Sequence, residues 1–136
     1  MKITLTNNKI YTYAMRIKDF CDERAESLMP AKCSFYIYKN LNTLIEAAGC
    51  IDKARQNILE KYGTQQDEDK FNIDEESRQL AQDELNDLSE IEQEIDIHYI
   101  YLQDLNDVNL SVKQISNISF MLKDKELEED INYGNS

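Results

Sequence analysis

The chain has 136 residues, of which 27 are acidic and 15 basic, so its formal net charge at pH 7 is −12. A chain of this length can form one domain with a hydrophobic core, which excludes a wholly disordered protein. The acidic balance disfavours direct binding to nucleic acid or to an anionic membrane, because clustered Lys and Arg capture such partners. Three glycines and one proline leave few turn residues, which argues against a sandwich or barrel of short strands and favours long helices.

The N-terminal segment predicts a strand followed by a helix. Residues 2–6, Lys-Ile-Thr-Leu-Thr, alternate polar and apolar side chains and are rich in β-branched residues, as strands are. Apolar residues then recur at helical spacing and predict a first amphipathic helix that ends near Arg24. These residues are Ile10, Ala14, Ile17 and Cys21.

A long second helix over residues 31–62 is the best-defined element. Its apolar residues repeat in steps of three and four, and at 1.5 Å per residue it would be about 48 Å long. Pro30 suits its first turn, and Gly63 is expected to end it as a left-handed cap. Gly49 inside the helix costs about 1 kcal/mol relative to alanine unless something packs closely against it. The repeating residues are Ile37, Leu41, Leu44, Ala48, Ile51, Arg55, Ile58 and Tyr62.

A third helix is expected to fold back on the second. Residues 64–72 are polar and predict a solvated loop, after which Asp74 can cap the helix. The expected apolar stripe of this helix continues to the beginning of the next element, and the two long helices form an antiparallel hairpin. The stripe consists of Leu80, Ala81, Leu85, Leu88, Ile91 and Ile95.

The remaining segments complete a mainly α fold of the α+β class. Residues 95–102 alternate at period two, so we expect residues 96–102 to pair with residues 2–6 in a small two-stranded sheet. Ser111 and Gln114 have the spacing of a capping box that opens a short last helix. We therefore expect one helical domain over residues 1–122, followed by an acidic, frayed tail over residues 123–136.

The acidity is concentrated in the second half of the chain. Residues 1–63 hold 10 basic and 7 acidic side chains, whereas residues 64–136 hold 5 basic and 20 acidic ones. Five carboxylates would lie within about 60° of one another on the third helix at 100° per residue, which predicts an acidic stripe. The stripe is either a solvated face that maintains solubility or a surface that meets a basic groove on a partner protein. Its residues are Glu76, Asp83, Asp87, Glu90 and Glu94.

Tyrosines form the second candidate binding set. Six of the eight occur as Tyr-x-Tyr pairs, and tyrosine supplies stiff, amphipathic contact area at interfaces. The alternative is that these rings cover the core with their hydroxyls in water. The candidate contact residues are Tyr36, Tyr38, Tyr99 and Tyr101.

Nothing in the sequence points to catalysis or to a cofactor. His98 is the single histidine, and we interpret it as a half-buried strand residue rather than a catalytic one. Cys21, Cys33 and Cys50 lack zinc-ligand spacing and are interpreted as small buried or half-buried residues of a reduced, intracellular protein. Without a phosphate loop, a metal motif or an apolar run that could cross a bilayer, we expect a protein that is not an enzyme, holds no metal and does not enter a membrane.

Four motifs of the chain are Pro30-x-Lys32-x-x-Phe35-x-Ile37-x-Lys39-Asn40-x-x-x-Leu44, Glu60-Lys-Tyr-Gly63, Ile95-x-Ile97-x-x-Ile100-x-Leu102 and Leu110-Ser111. With these motifs the chain resembles a family of small uncharacterised proteins encoded by tailed phages and prophages of Gram-positive bacteria. The resemblance covers most of residues 1–122 and implies a phage origin, in the host cytoplasm or the virion. It implies no activity.

Two functions follow as expectations. The first is a phage-encoded acidic protein that binds a basic surface of a host protein stoichiometrically and inhibits a bacterial defence system, in the manner of an anti-CRISPR protein or a nucleic-acid mimic. The alternative is a phage structural or morphogenesis protein that acts through helix-mediated self-association. Either leaves a homodimer open.

Overall fold

The computed structural model describes residues 1–24, 28–67 and 70–127. It is mainly helical with some β structure, as the sequence predicts. Strand β1 (Lys2–Thr6) leads into α1 (Asn7–Glu23), and the long helix α2 (Ala31–Tyr62) follows. Strands β2 (Gly63–Asp67) and β3 (Lys70–Ile73) connect α2 to α3 (Glu75–Glu90). The chain ends in β4 (Glu92–Asp96), β5 (Ile100–Tyr101), α4 (Val112–Ile118) and β6 (Leu122–Lys123), with short 3-10 turns at Leu102–Leu105 and Ser119–Met121.

The predicted long helix is confirmed at both ends. Residues 31–62 form one continuous helix whose inward face carries the predicted repeat, although Arg55 is exposed. Pro30 is the residue just before the helix and not part of its first turn. The core forms where this face meets α1, β4 and the C-terminal segments. Its fully buried members from α2 are Cys33, Ile37, Asn40 and Leu44.

The connection between α2 and α3 is a β-hairpin rather than the predicted solvated loop. Strands β2 and β3 are antiparallel, with Gly63 opposite Ile73 and Thr64 opposite Asn72. Gly63 is also not a left-handed cap, because its φ of −133° and ψ of 169° are extended. A Cβ at this position would lie 3.0 Å from Ile73 Cγ1 and 3.0 Å from the Leu59 carbonyl oxygen. The glycine therefore permits close packing at the start of the hairpin, which a turn-based reading of the sequence missed.

The predicted partner of β1 was placed too late in the chain. β1 pairs with Glu92–Asp96, with Lys2 opposite Asp96 and Thr6 opposite Glu92, so the expected strand 96–102 is wrong except at its first residue. Residues 97–99 form no strand, and Ile100–Tyr101 pair in parallel with Leu122–Lys123. The helical stripe predicted through Ile95 caused the error, since α3 ends at Glu90 and Ile95 is buried from a strand.

α3 lies where the sequence predicts, but fewer of its apolar side chains are buried than expected. Ala81 is the only buried residue on α3, and Leu80 is 56% exposed. Asp74 precedes α3 as expected, but its side chain makes no cap hydrogen bond. The capping box of Ser111 and Gln114 is confirmed. Lys123, the first residue of the expected tail, belongs to β6, and residues 128–136 lie outside the described part of the chain.

A buried asparagine ties α2 to the segment between β4 and β5. The Asn40 side chain is 0% exposed. Its Nδ2 donates to the His98 carbonyl oxygen at 2.8 Å, and the His98 N–H donates to its Oδ1 at 2.9 Å. The single amide thus satisfies both backbone polar groups of a residue that has no strand partner. Leaving such groups buried without partners would cost about 1–3 kcal/mol each.

A second buried asparagine performs the same task at the start of α1. Asn7 Nδ2 donates to the Leu88 carbonyl oxygen at 2.8 Å, and Gln93 Nε2 donates to Asn7 Oδ1 at 2.8 Å. The backbone N–H of Asn7 donates to the Ile91 carbonyl oxygen, also at 2.8 Å. These bonds hold the end of α3 and the start of β4 against α1.

We expect Asn40→Ala to lower the free energy of unfolding by about 2–3 kcal/mol, because it leaves the His98 backbone groups without partners. Urea unfolding followed by circular dichroism measures this. Asn57→Ala, at another exposed position on the same helix, is the control and should change stability by less than about 0.5 kcal/mol. Equal effects of the two substitutions would contradict the role assigned to Asn40.

We expect Gly49→Ala to raise the free energy of unfolding by about 0.5–1 kcal/mol, because alanine suits a helix interior better than glycine. Apart from its chain neighbours and the backbone of its own helix, no atom lies within 4 Å of a Cβ built on Gly49. Gly63→Ala is the matched control and should destabilise, given the crowding described above. The comparison is made by urea unfolding at low protein concentration, and a loss of stability in Gly49→Ala would refute it.

Candidate functional site

The predicted acidic stripe is only partly a helix feature. Glu76, Asp83, Asp87 and Glu90 lie on α3 and are exposed, whereas Glu94 lies on β4. Glu76 is in the first turn of α3, where a carboxylate favours the positive end of the helix dipole. The remaining carboxylates therefore belong to the second half of α3 and to the strand that follows.

The outer face of the β1–β4 ribbon adds carboxylates that the sequence reasoning missed. Glu92, Glu94 and Asp96 are all exposed and alternate along β4, so they project from one face of the strand. Thr6, Thr4 and Lys2 lie directly opposite them on β1. The alternation of residues 92–96 was the available signal, and it was overlooked because the segment was interpreted as the end of a helix.

The carboxylates of this region differ in whether they have a charged partner. The N-terminal ammonium lies 3.2 Å from Asp96 Oδ1, and its hydrogen bond and charge hold the pKa of Asp96 below its usual range. Lys61 Nζ lies 3.0 Å from Glu84 Oε1 and lowers the pKa of Glu84 in the same way. Among the described residues, no cation lies within 4.0 Å of the five other carboxylates, which we call the acidic surface. The acidic surface consists of Asp83, Asp87, Glu90, Glu92 and Glu94.

The candidate tyrosines are mostly engaged within the fold. The Tyr36 ring stacks on the His98 ring with centroids 5.0 Å apart and planes 4° apart. Lys123 Nζ lies 4.1 Å from the centre of the half-buried Tyr99 ring. Tyr101 is half-buried in β5. Tyr38 alone of the four is classed as exposed, at 55%.

Tyr38 and the carboxylates of α3 do not form one site. Ile51, Leu85 and Leu88 line one cleft, so α3 lies against the C-terminal half of α2. Tyr38 lies 13 residues before Ile51, which is roughly 20 Å along α2 at 1.5 Å per residue. Tyr38 and the α3 part of the acidic surface are therefore separate surfaces.

A cleft of about 320 Å³ opens where α1, α2 and α3 meet. Its floor is apolar, from Ile51, Leu85 and Leu88, and Arg55 is the one formally charged residue of its lining. Gln82, Asn86 and Ser89 form its α3 wall. The next residues along α3 are Asp83, Asp87 and Glu90. These three carboxylates of the acidic surface therefore lie about 100° around α3 from the cleft wall.

A tyrosine and an aspartate join α1 to α2 beside this cleft. The Tyr11 hydroxyl donates a hydrogen bond to Asp52 Oδ1. Burial raises the pKa of Tyr11 to about 12, together with this hydrogen bond and the negative charge of Asp52, against a lowering effect of Arg55. The raised pKa means that the neutral phenol of Tyr11 is favoured over the phenolate at this contact.

His98 and the three cysteines are side chains of the types that most often serve at catalytic and metal sites. His98 is half-buried as expected, but it stacks on Tyr36 and lies outside a strand. No group of three or more His, Cys, Asp or Glu side chains in the described ranges could hold a metal ion. Cys33 is buried and Cys21 half-buried, as predicted, whereas Cys50 is exposed. Burial raises the pKa of both Cys33 and Cys21.

No helix among the described residues is both long and apolar enough to cross a membrane. Comparison with known proteins found no matching family model, no matching curated protein and no matching solved structure. The function must therefore be argued from the surfaces of this chain.

We expect one tyrosine to titrate near pH 12 and to be absent from the Tyr11→Phe variant. Because the folded pKa is raised above 10, the stability that this group contributes is present below pH 10 and is lost as pH rises toward 12. Ultraviolet titration of phenolate absorbance measures the step, and alkaline unfolding measures the stability. Asp52→Asn should lower the pKa of Tyr11, because the negative charge is lost, while burial of the ring still raises that pKa. A step near pH 12 that persists in Tyr11→Phe would contradict the assignment.

Proposed function

We propose that this protein is an acidic binding protein that acts stoichiometrically on a basic surface of a host protein. The acidic surface carries the proposal, because its five carboxylates are exposed and, among the described residues, have no cationic partner. Exposed charges of one sign attract an oppositely charged surface and accelerate its association. They contribute little to the stability of their own fold.

The chemistry of the partner follows from the spacing of these charges. Successive carboxylates on α3 are three or four residues apart, roughly 4.5–6 Å along the axis, and those on β4 are roughly 7 Å apart. A DNA strand carries one phosphate per roughly 3.4 Å of axis, so the acidic surface is a sparser row of charge than nucleic acid. A lysine- and arginine-rich protein surface suits this spacing, and a nucleic-acid-binding groove is one such surface.

The biological setting in the proposal comes from the resemblance to small phage-encoded proteins. A phage protein that occupies a basic groove of a bacterial defence protein, as an anti-CRISPR protein does, would block the access of nucleic acid to that groove. The host cytoplasm is the compartment that this role requires.

We expect combined neutralisation by Asp83→Asn, Asp87→Asn, Glu90→Gln and Glu94→Gln to weaken partner binding by more than tenfold. The full chain is immobilised and exposed to a Gram-positive host lysate at low salt, where charge attraction is least screened. Affinity for the captured protein is then measured with the purified pair at physiological ionic strength, where the Debye length is about 8 Å. Added double-stranded DNA should displace the partner if its groove binds nucleic acid.

The matched control removes the same number of charges elsewhere. Asp19→Asn, Asp22→Asn, Asp107→Asn and Glu126→Gln alter exposed residues outside the acidic surface and should leave binding within about twofold, since net charge alone acts weakly at distances beyond the Debye length. Equal capture by all three proteins, or capture by none, would refute the proposed function.

The second candidate is a phage structural or morphogenesis protein. The exposed apolar side chains of α2, among them Phe35 and Tyr38, favour it, because exposed aromatic residues are common at protein interfaces. Mass spectrometry of purified virions distinguishes the candidates: a structural protein is present in stoichiometric amounts, and an inhibitor of host proteins is absent.

A further inference from the structure

The outer face of α2 carries a row of exposed apolar side chains. Phe35, Tyr38 and Ile45 are 61%, 55% and 54% exposed, although α2 is the central helix of the fold. Together with Asn42 and Gly49 they recur in steps of three, four, three and four residues, which is the repeat of a helix that packs along another helix. We call these five residues the outer row. It faces away from the core residues Ile37, Leu44 and Ile51.

Gly49 belongs to the outer row, although no contact within its own chain requires a glycine at this position. It has ordinary helical geometry with no positive φ, and apart from its chain neighbours and the backbone of its own helix no atom lies within 4 Å of the position of a Cβ. A helix-interior glycine is unfavourable relative to alanine unless another group needs the space. No other group in the described chain uses this space, which leaves room for a large side chain from a second molecule.

Charged residues flank the outer row on one side. Lys39 and Glu46 are exposed, lie seven residues apart and therefore share one edge of the helix. Neither forms an ion pair within the part of the chain that the structure describes. Such opposite charges on one edge are self-complementary when two copies of the helix run in opposite directions, since Lys39 of each then faces Glu46 of the other.

We propose that the outer row is the interface of a symmetric homodimer in which two copies of α2 pack antiparallel. The ring of Tyr38 lies over Gly49 of the partner subunit, Asn42 lies beside Ile45 of the partner subunit, and Lys39 pairs with Glu46 of the partner subunit. In a parallel pair the residues facing Lys39 and Glu46 are Ser34 and Leu41, and no opposite charges meet. The antiparallel arrangement thus matches large with small side chains and positive with negative charge.

The area available sets the strength of this dimer. The three large side chains each offer about 100 Å² of exposed surface, and with the stems of flanking residues the two copies bury roughly 1,000 Å² in total. This is the lower end of specific interfaces, so we expect a dissociation constant in the micromolar range. The inference is independent of the acidic surface, and its test measures self-association alone.

Sedimentation velocity of the full chain over a range of concentrations tests the proposal. The wild-type protein should change from monomer to dimer. Tyr38→Ala should weaken dimerisation at least tenfold, because the ring fills the space over Gly49. Leu80→Ala, at a comparably exposed position on α3, is the matched control and should leave dimerisation within twofold. Circular dichroism verifies that each variant is folded.

Charge exchange tests the antiparallel register. Lys39→Glu or Glu46→Lys alone places like charges together at two symmetry-related sites and should weaken dimerisation more than fivefold, whereas the double exchange should restore it to within twofold of wild type. The natural Cys50 adds a second readout. In the antiparallel register its two thiols are roughly 20 Å apart along the axis, so oxidation should form no Cys50–Cys50 disulfide.

Three outcomes overturn the proposal. One is a protein that is monomeric at every concentration, and another is a dimer that Tyr38→Ala does not weaken. The third is efficient disulfide formation through Cys50 in a dimer that charge exchange does not affect, since parallel helices would produce that result.

Discussion

The amide of Asn40 is the contact on which the arrangement of the remaining structure depends. It lies on the buried face of the longest helix and binds both backbone groups of His98. That residue lies between β4 and β5, where neither strand supplies hydrogen bonds. Buried polar backbone groups must be paired. The segment between β4 and β5 can therefore cross α2 only at a side chain that both donates and accepts hydrogen bonds, and Asn40 is that side chain. The Tyr36–His98 stack then covers this junction.

The helices that contribute most to the core differ from the elements that carry the acidic surface. α1 and α2 supply about half of the buried core, whereas α3 fully buries only Ala81, and its two ends adjoin the β2–β3 hairpin and Asn7. A helix with so little buried surface is free to carry charges of one sign, since few of its side chains must be apolar. This explains physically how carboxylates accumulate on α3 and β4 while the basic residues remain in the first half of the chain. It also explains why the acidic surface and the outer row of α2 are distinct.

The predictions fail where contacts with distant segments override the local pattern of residues. Residues 92–96 continue the apolar repeat of α3 through Ile95 and also alternate as a strand, and periodicity over so short a segment does not choose between them. Residues 92–96 form a strand because β1 and Asn7 supply hydrogen-bond partners for it. In the same way, the polar residues after Gly63 lack strand character on their own, and they form a hairpin because the ends of α2 and α3 bring them together. Leu80 was expected inside and is exposed because α3 touches α2 through too narrow a face.

The residues themselves determined the mainly helical class, the full extent of α2, the capping box of α4 and the concentration of acidity after residue 63. These properties depend on neighbours within a few turns, so local spacing and composition are sufficient to specify them. Tertiary structure alone decided the partner of β1, the burial of Asn7 and Asn40, the separation of Tyr38 from the carboxylates of α3 and the open space over Gly49. Each of these depends on which distant segment comes near, and a pattern within one segment carries no information on that.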